Sequence, residues 1–198
     1  MDPIHASGPT AKGVYDSLPL NAEARKVADS WDPAKDEAAG EQCRAYGAAN
    51  IMRVPGRLHV TWQDPNTLKI ETDAGTQTRL FHFGASAPPA GEPSWQGHSV
   101  AEWQYAPGAR GSARLGNLKV VTTNLKPGYV RKNGAPYSAS ATVTEYYDLN
   151  ALPNGDRWLT ITTRVEDPQY FTRPLITTTD FKKLPDNKGW NPTPCSAR

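Results

Sequence analysis

From Arg57 to Phe181 the chain repeats one pattern: apolar and polar residues alternate over short runs, and turn residues close each run. A period of two puts every second side chain on one face of an extended strand, so a long succession of such runs commits the chain to a β-sheet fold. Leu58, Val60 and Trp62 alternate with Arg57, His59 and Thr61, and Asp64-Pro65-Asn66 then turns the chain. Leu68 and Ile70 follow, then Arg79, Phe81 and Phe83 on one face of the third run. A Pro/Gly-rich loop from Ala85 to Pro93 separates these three runs from the rest. Ala101-Trp103-Tyr105, Leu118-Val120-Thr122, Ala141-Val143-Glu145-Tyr147, Leu159-Ile161-Thr163-Val165 and Leu175-Thr177-Thr179-Phe181 bring the count to eight strands.

Sequential strands with short connections pair as antiparallel neighbours. Eight amphipathic strands close into an up-and-down barrel or fold over as a sandwich, and closure removes exposed edges. The predicted fold is therefore mainly β: an antiparallel, up-and-down, eight-stranded, lipocalin-like barrel with one short N-terminal helix. That helix runs from Asn21 to Trp31, where Ala24, Val27, Ala28 and Trp31 recur at helical spacing, Asn21 can cap and Pro33 lies just past the end. Residues 1–19 are small, polar and Gly/Pro-rich and read as a flexible lead-in, and 20–198 as a single barrel domain.

Composition narrows the partners. With 22 basic and 20 acidic residues interleaved, a net charge of +2 gives no footprint for nucleic acid or an anionic surface. No apolar run approaches the 18 or so residues of a membrane helix, so no membrane span is expected. Cys43 and Cys195 are the only cysteines and bracket nearly all the strands. Bridging a loop this long stabilises a fold by up to roughly 5 kcal/mol, and such a bridge persists only in an oxidising compartment. A Cys43–Cys195 disulfide is predicted, with a periplasmic or secreted location. Met1-Asp2-Pro3-Ile4-His5 has neither the basic start nor the apolar stretch of a signal peptide, so the expectation is that a leader has been removed. The other reading is a cytosolic protein with two free thiols.

Few residues point to chemistry. Gly97-His98-Ser99-Val100-Ala101 is one residue short of a serine-hydrolase elbow and leads into a strand instead of a helix. Among His5, His59, His82 and His98, no two stand at a metal-ligand spacing, and His59 and His82 are out of phase with the apolar set and expected in solvent. With both cysteines in the bridge, no metal site is expected. No phosphate loop or dinucleotide fingerprint occurs, so no cofactor is expected. His98, beside Trp95, is expected at the mouth of a cavity. Glu145 is in phase with Val143 and Tyr147 and must face inward, where a carboxylate is paired or neutral. Arg79, in phase with Phe81 and Phe83, is its expected partner; the functional alternative is a cavity group that fixes or deprotonates a ligand. Asp167-Pro168 reads as turn chemistry. Trp62, Phe81, Phe83, Trp103 and Tyr147 fall on inward phases, as either core or the wall of an apolar-ligand pocket.

Several of these segments resemble a large family of exported proteobacterial proteins. The resemblance rests on Leu18 to Cys43 with Asp32-Pro33-Ala34-Lys35-Asp36, on Ile51-Met52, and on Trp95-Gln96-Gly97-His98-Ser99-Val100 followed by Trp103. It continues through Leu118-Lys119-Val120-Val121-Thr122-Thr123, Pro136-Tyr137-Ser138, Glu145 with Tyr147, Asp167-Pro168-Gln169-Tyr170-Phe171-Thr172-Arg173-Pro174 and Cys195. The family has no assigned activity, so the resemblance implies export. Where its members tend to carry Pro-His-Ser-Glu, this chain has Pro136-Tyr137-Ser138-Ala139, which leaves His98, Glu145, Asp167 and Arg173 as the matching polar positions.

Three functions remain in view. The preferred one is an exported barrel binding a hydrophobic or aromatic small molecule in its interior, with Trp62, Arg79, Phe81, Phe83, Trp95, Trp103 and Tyr147 around it. The alternative is a cofactor-independent lyase, isomerase or hydrolase with Glu145 or His98 as base and Tyr137 as acid. The third is a structural or assembly partner in the cell envelope. The oligomeric state is open.

Overall fold

Asn21 starts the first helix as expected, its side chain accepting a hydrogen bond from the Ala24 N–H, and helix α1 (Ala22–Ser30) buries Ala24 and Ala28. Pro33 does not end the helical region. It lies in the first turn of a second helix, α2 (Pro33–Ala38), which Asp32 caps. A proline has no N–H to lose there, so it opens a helix as readily as it follows one. The expectation of one helix is thus corrected to two, followed by single 3-10 turns at Arg44–Tyr46 and Ile51–Arg53. This computed structural model describes residues 11–84, 91–105 and 116–197.

The strands are β1 (Leu58–Asp64), β2 (Thr67–Thr72), β3 (Gln77–Phe83), β4 (His98–Tyr105), β5 (Gly116–Thr123), β6 (Gly128–Tyr129), β7 (Pro136–Tyr137), β8 (Thr142–Ala151), β9 (Arg157–Glu166) and β10 (Leu175–Lys182). Eight of them form one sheet in the order β1-β2-β3-β4-β5-β8-β9-β10, and β6 and β7 pair apart from it. The eight are those read from the sequence. Their closure is not. The sheet curls into a half-barrel whose edge strands β1 and β10 do not pair, and β3 and β4 run parallel from Phe81 opposite Ser99 to Phe83 opposite Ala101. The closed, all-antiparallel barrel is therefore corrected to an open, mixed sheet. The cause lies in the long connection between Phe83 and His98: a two-residue turn must reverse a strand, whereas a crossover of a dozen or more residues can return the chain to run alongside it.

The C-terminal tail reaches from one edge to the other. Beyond β10, Trp190 stacks on His59 of β1, ring centres 3.7 Å apart, so His59 is covered on one face and not simply in solvent. Thr193 donates its N–H to the Asp73 carbonyl, and Cys195 is joined to Cys43. The predicted disulfide is present and ties this tail to the segment after α2.

Two core clusters fill the fold. One packs α1 and its approach, including Tyr15, Leu18 and Leu20, against Tyr137, Val143, Val165 and Phe171. Tyr15 and Leu18 belong to the stretch read as a flexible lead-in; both are buried, and residues 1–10 of that stretch lie outside the described residues. The other lies inside the curl, where Tyr46, Ile51 and Met52 of the 3-10 segments cover Ile70, Phe81, Val120, Tyr147 and Ile161.

Candidate functional site

The inner face of the sheet has two halves. In the packed half, β3 presents Arg79 and Phe81, β5 presents Val120 and Thr122, and β8 presents Glu145 and Tyr147, all on one face by the alternation of their strands. Register sets Glu145 opposite both Val120 and Thr163. Arg79 Nη1 donates to Glu145 Oε1 at 2.9 Å and Nη2 to Oε2 at 2.7 Å, a two-pronged pair that exposes none of either side chain. Nη2 also donates to Thr122 Oγ1 at 3.1 Å, and Thr122 shares a hydrogen bond of 2.8 Å with Ser99. The guanidinium lies 4.9 Å from the centre of the Phe81 ring. Burial by itself pulls the Arg79 guanidinium down, but the Glu145 carboxylate outweighs it and holds the group above its ordinary value. Burial, with Glu145 adding to it, raises the Tyr147 phenol well above its usual range. Arg79 is thus cationic, paired and enclosed.

In the other half the same alternation continues, but none of the described residues covers it to the same depth. Trp62 of β1, Phe83 of β3 and Trp103 of β4 stand ring to ring, with centres 5.3 Å apart for the first pair and 5.7 Å for the second. Trp62 is 53% exposed and Trp103 50%. Phe83 is half-buried against the core. Both tryptophans were expected inside a closed barrel; they do face inward, and the open edge leaves them half in solvent. Tyr105 and Leu149, at 49% and 66% exposure, extend the same face on β4 and β8. Beside them a cleft of about 460 Å³ opens between the end of β4, the start of β5 and the end of β8, with Tyr105, Asn117 and Leu149 in its wall.

The remaining sequence-predicted residues scatter. Tyr137 on β7 is wholly buried in the helix-side cluster, and its hydroxyl has no hydrogen-bond partner among the described residues. It fills the space beside Gly47 and Gly128, where an added Cβ would come within 2.5 and 2.6 Å of the hydroxyl. Burial raises its phenol above the ordinary value. Trp95 donates its indole N–H to the Pro127 carbonyl at 3.1 Å and lies under Lys126, and so does not share a cavity wall with His98. Asp167 accepts from Ser138, Gln169 and Tyr170 and organises its turn, as turn chemistry implied. Arg173 is exposed.

His98 does line a cleft, of about 280 Å³, but its companion there is His82. His82, expected in solvent from its phase, is half-buried against His98; 16 positions separate the two, and only the parallel seam brings them together. Burial, followed by the proximity of His98, lowers the His82 imidazole below its ordinary value. Among the described residues no three His, Cys, Asp or Glu side chains are grouped to hold a metal, and His5 lies outside them. No helix among the described residues is long and apolar enough to cross a membrane.

Comparison with models of protein families, with curated proteins and with solved structures finds no match to this chain.

Proposed function

We propose that this protein is an exported binding protein that holds an apolar or aromatic small molecule on the open half of its inner face. The observation that carries this reading is the row Trp62–Phe83–Trp103, three contacting rings on three strands with both tryptophans half-exposed. Large rings that stand together on a rigid sheet and stay in contact with water have apolar surface still to bury, and such patches mark interaction sites. The neighbouring cleft of about 460 Å³ falls within the usual span of ligand pockets, ~300–1,000 Å³. The packed half has Phe81, Val120, Glu145 and Ile161 fully buried, which favours a ligand on the open half over one enclosed at the centre of a lipocalin-like barrel. The disulfide supports export to the periplasm or beyond.

The enzyme reading has weaker support. Both Glu145 oxygens accept from Arg79 and neither side chain reaches solvent, while Tyr137 is buried in a different cluster. Of the three groups expected to move protons, His98 alone borders open space. The test uses the full chain titrated with the fluorescent apolar probe 1-anilinonaphthalene-8-sulfonate, with mass spectrometry of organic extracts from protein purified without denaturation. W62A/W103A is expected to weaken probe binding at least about tenfold and to remove a co-purifying apolar compound, because two aromatic walls are lost. Equal probe binding by the wild type and W62A/W103A would overturn the reading. Self-association abolished by W62A/W103A, with no bound compound, would favour an assembly partner instead.

A further inference from the structure

β3 and β4 stay in register over only a few residues, and toward the start of β4 they part. Thr78 and Leu80 line one wall of the resulting cleft, and Ser94, Gln96 and Gly97 the other. At its rim, on the outer face, the seam brings His82 and His98 together with ring centres 5.7 Å apart and planes 19° from parallel. Both imidazoles are half-buried. Thr67 Oγ1 lies 3.4 Å from His82 Nδ1, which occupies that nitrogen and leaves Nε2 for a ligand.

We propose that His82 and His98 form a binding site for a borderline transition-metal ion, Zn(II) or Cu(II), on the outer face of the sheet. Neutral imidazole is the ligand such ions prefer. With metal–nitrogen distances of about 2.0–2.1 Å, two imidazoles on one tetrahedral ion have ring centres about 5 Å apart, close to the spacing already present. The rings lie nearly face to face, so with His82 held by Thr67 capture requires the His98 ring to rotate about χ2, a broad and soft torsion in histidine. The Thr67 contact to Nδ1 is the kind of outer support that holds a ligating ring in one orientation. No third His, Cys, Asp or Glu among the described residues joins the pair, so water completes the coordination. Hard ions such as Mg(II) and Ca(II), which need several oxygen anions, are not suited to it. The site lies on the opposite face from the aromatic row and does not depend on what that row binds.

The test is calorimetric titration of the chelator-treated full chain with CuCl2 and ZnCl2 at pH 7.5, together with electron paramagnetic resonance at one equivalent of Cu(II). One ion per chain is expected, with hyperfine structure from two imidazole nitrogens. H82A and H98A should each weaken binding at least about tenfold, H59A should leave it unchanged, and MgCl2 and CaCl2 should give no binding heat. Undiminished binding in H82A/H98A would reveal an adventitious site elsewhere and overturn the proposal. A wild-type spectrum with fewer than two coordinated nitrogens would also overturn it, whatever the folding of the variants.

Discussion

Phe81 and Phe83 stand two residues apart on one strand and one face, yet Phe81 is fully buried and Phe83 leads into a row of half-exposed rings. The strands are the same; the cover differs. Over Phe81 lie Tyr46, Ile51 and Met52, delivered by the 3-10 turns after the helices, and beneath that cover the sheet holds an arginine, a carboxylate, a phenol and two hydroxyls in mutual hydrogen bonds. Where the cover thins, the face is aromatic and carries no charge across Trp62, Phe83 and Trp103. Alternation chooses the face on which a side chain stands, and the covering layer chooses how deep it lies. The packed half holds the buried ion pair and its hydrogen bonds, and the open half keeps large aromatic rings half in solvent.

The sharpest way to break this contrast is Glu145→Gln. It leaves the Arg79 charge enclosed without its partner, and the loss expected for a broken buried pair is ~3–5 kcal/mol, read as the urea midpoint. Affinity of the folded fraction for an apolar probe should be nearly unchanged; a stable protein that has lost its probe site would reverse the roles of the two halves. Cys195→Ser comes next. It releases the tail that spans the two edges, and a cost of roughly 2–5 kcal/mol is expected by thermal or urea melting, matched by the wild type under reducing conditions. Full stability after reduction would mean that the edges hold without their tie.

Trp103→Ala addresses the open half. At half exposure its removal should change stability by less than about 1 kcal/mol while probe affinity falls markedly, the reverse of the Glu145 result. The smallest effect concerns pH. Because the His82 pKa is lowered on folding, the unfolded chain binds the proton more readily, so stability is fully present above the ordinary histidine pKa of about 6.5 and declines as pH falls through and below it. Urea midpoints from pH 7.5 down to 5 should fall slightly, and less so in H82N; the groups facing His82 in this titration are His98 and Asp64. Identical slopes for H82N and the wild type would remove His82 from the account.

Much of this was legible in the residues. Eight strands, the capped start of α1, the inward carboxylate with its arginine and the bridged cysteines all follow from period, phase and count, because each depends on neighbours in the chain or on a strong electrostatic requirement. The second helix escaped because a proline that stops one helix can open another. Tyr137 escaped because its burial depends on two distant glycines, Gly47 and Gly128, that no local pattern connects to it.

The candidate sites were less legible. Trp62, Phe83 and Trp103 carry the right phase, but their exposure depends on a sheet edge that alternation cannot reveal. His82 and His98 meet across a seam whose direction is a property of the connection between the strands, and each looks like an isolated polar residue in its own run.

By itself the sequence determined which side chains share a face, because a strand's two-residue repeat is imposed by local backbone geometry and needs no partner. It made Arg79 the expected partner of the inward Glu145, while a cavity role for that carboxylate stayed open until the structure showed the pair fully enclosed. Only the tertiary structure decided that the sheet stays open, that β3 and β4 run parallel, and which half of the inner face is covered. Those outcomes follow from long connections and from packing between segments far apart in the chain, where many arrangements satisfy the same local pattern and the burial of the whole selects among them.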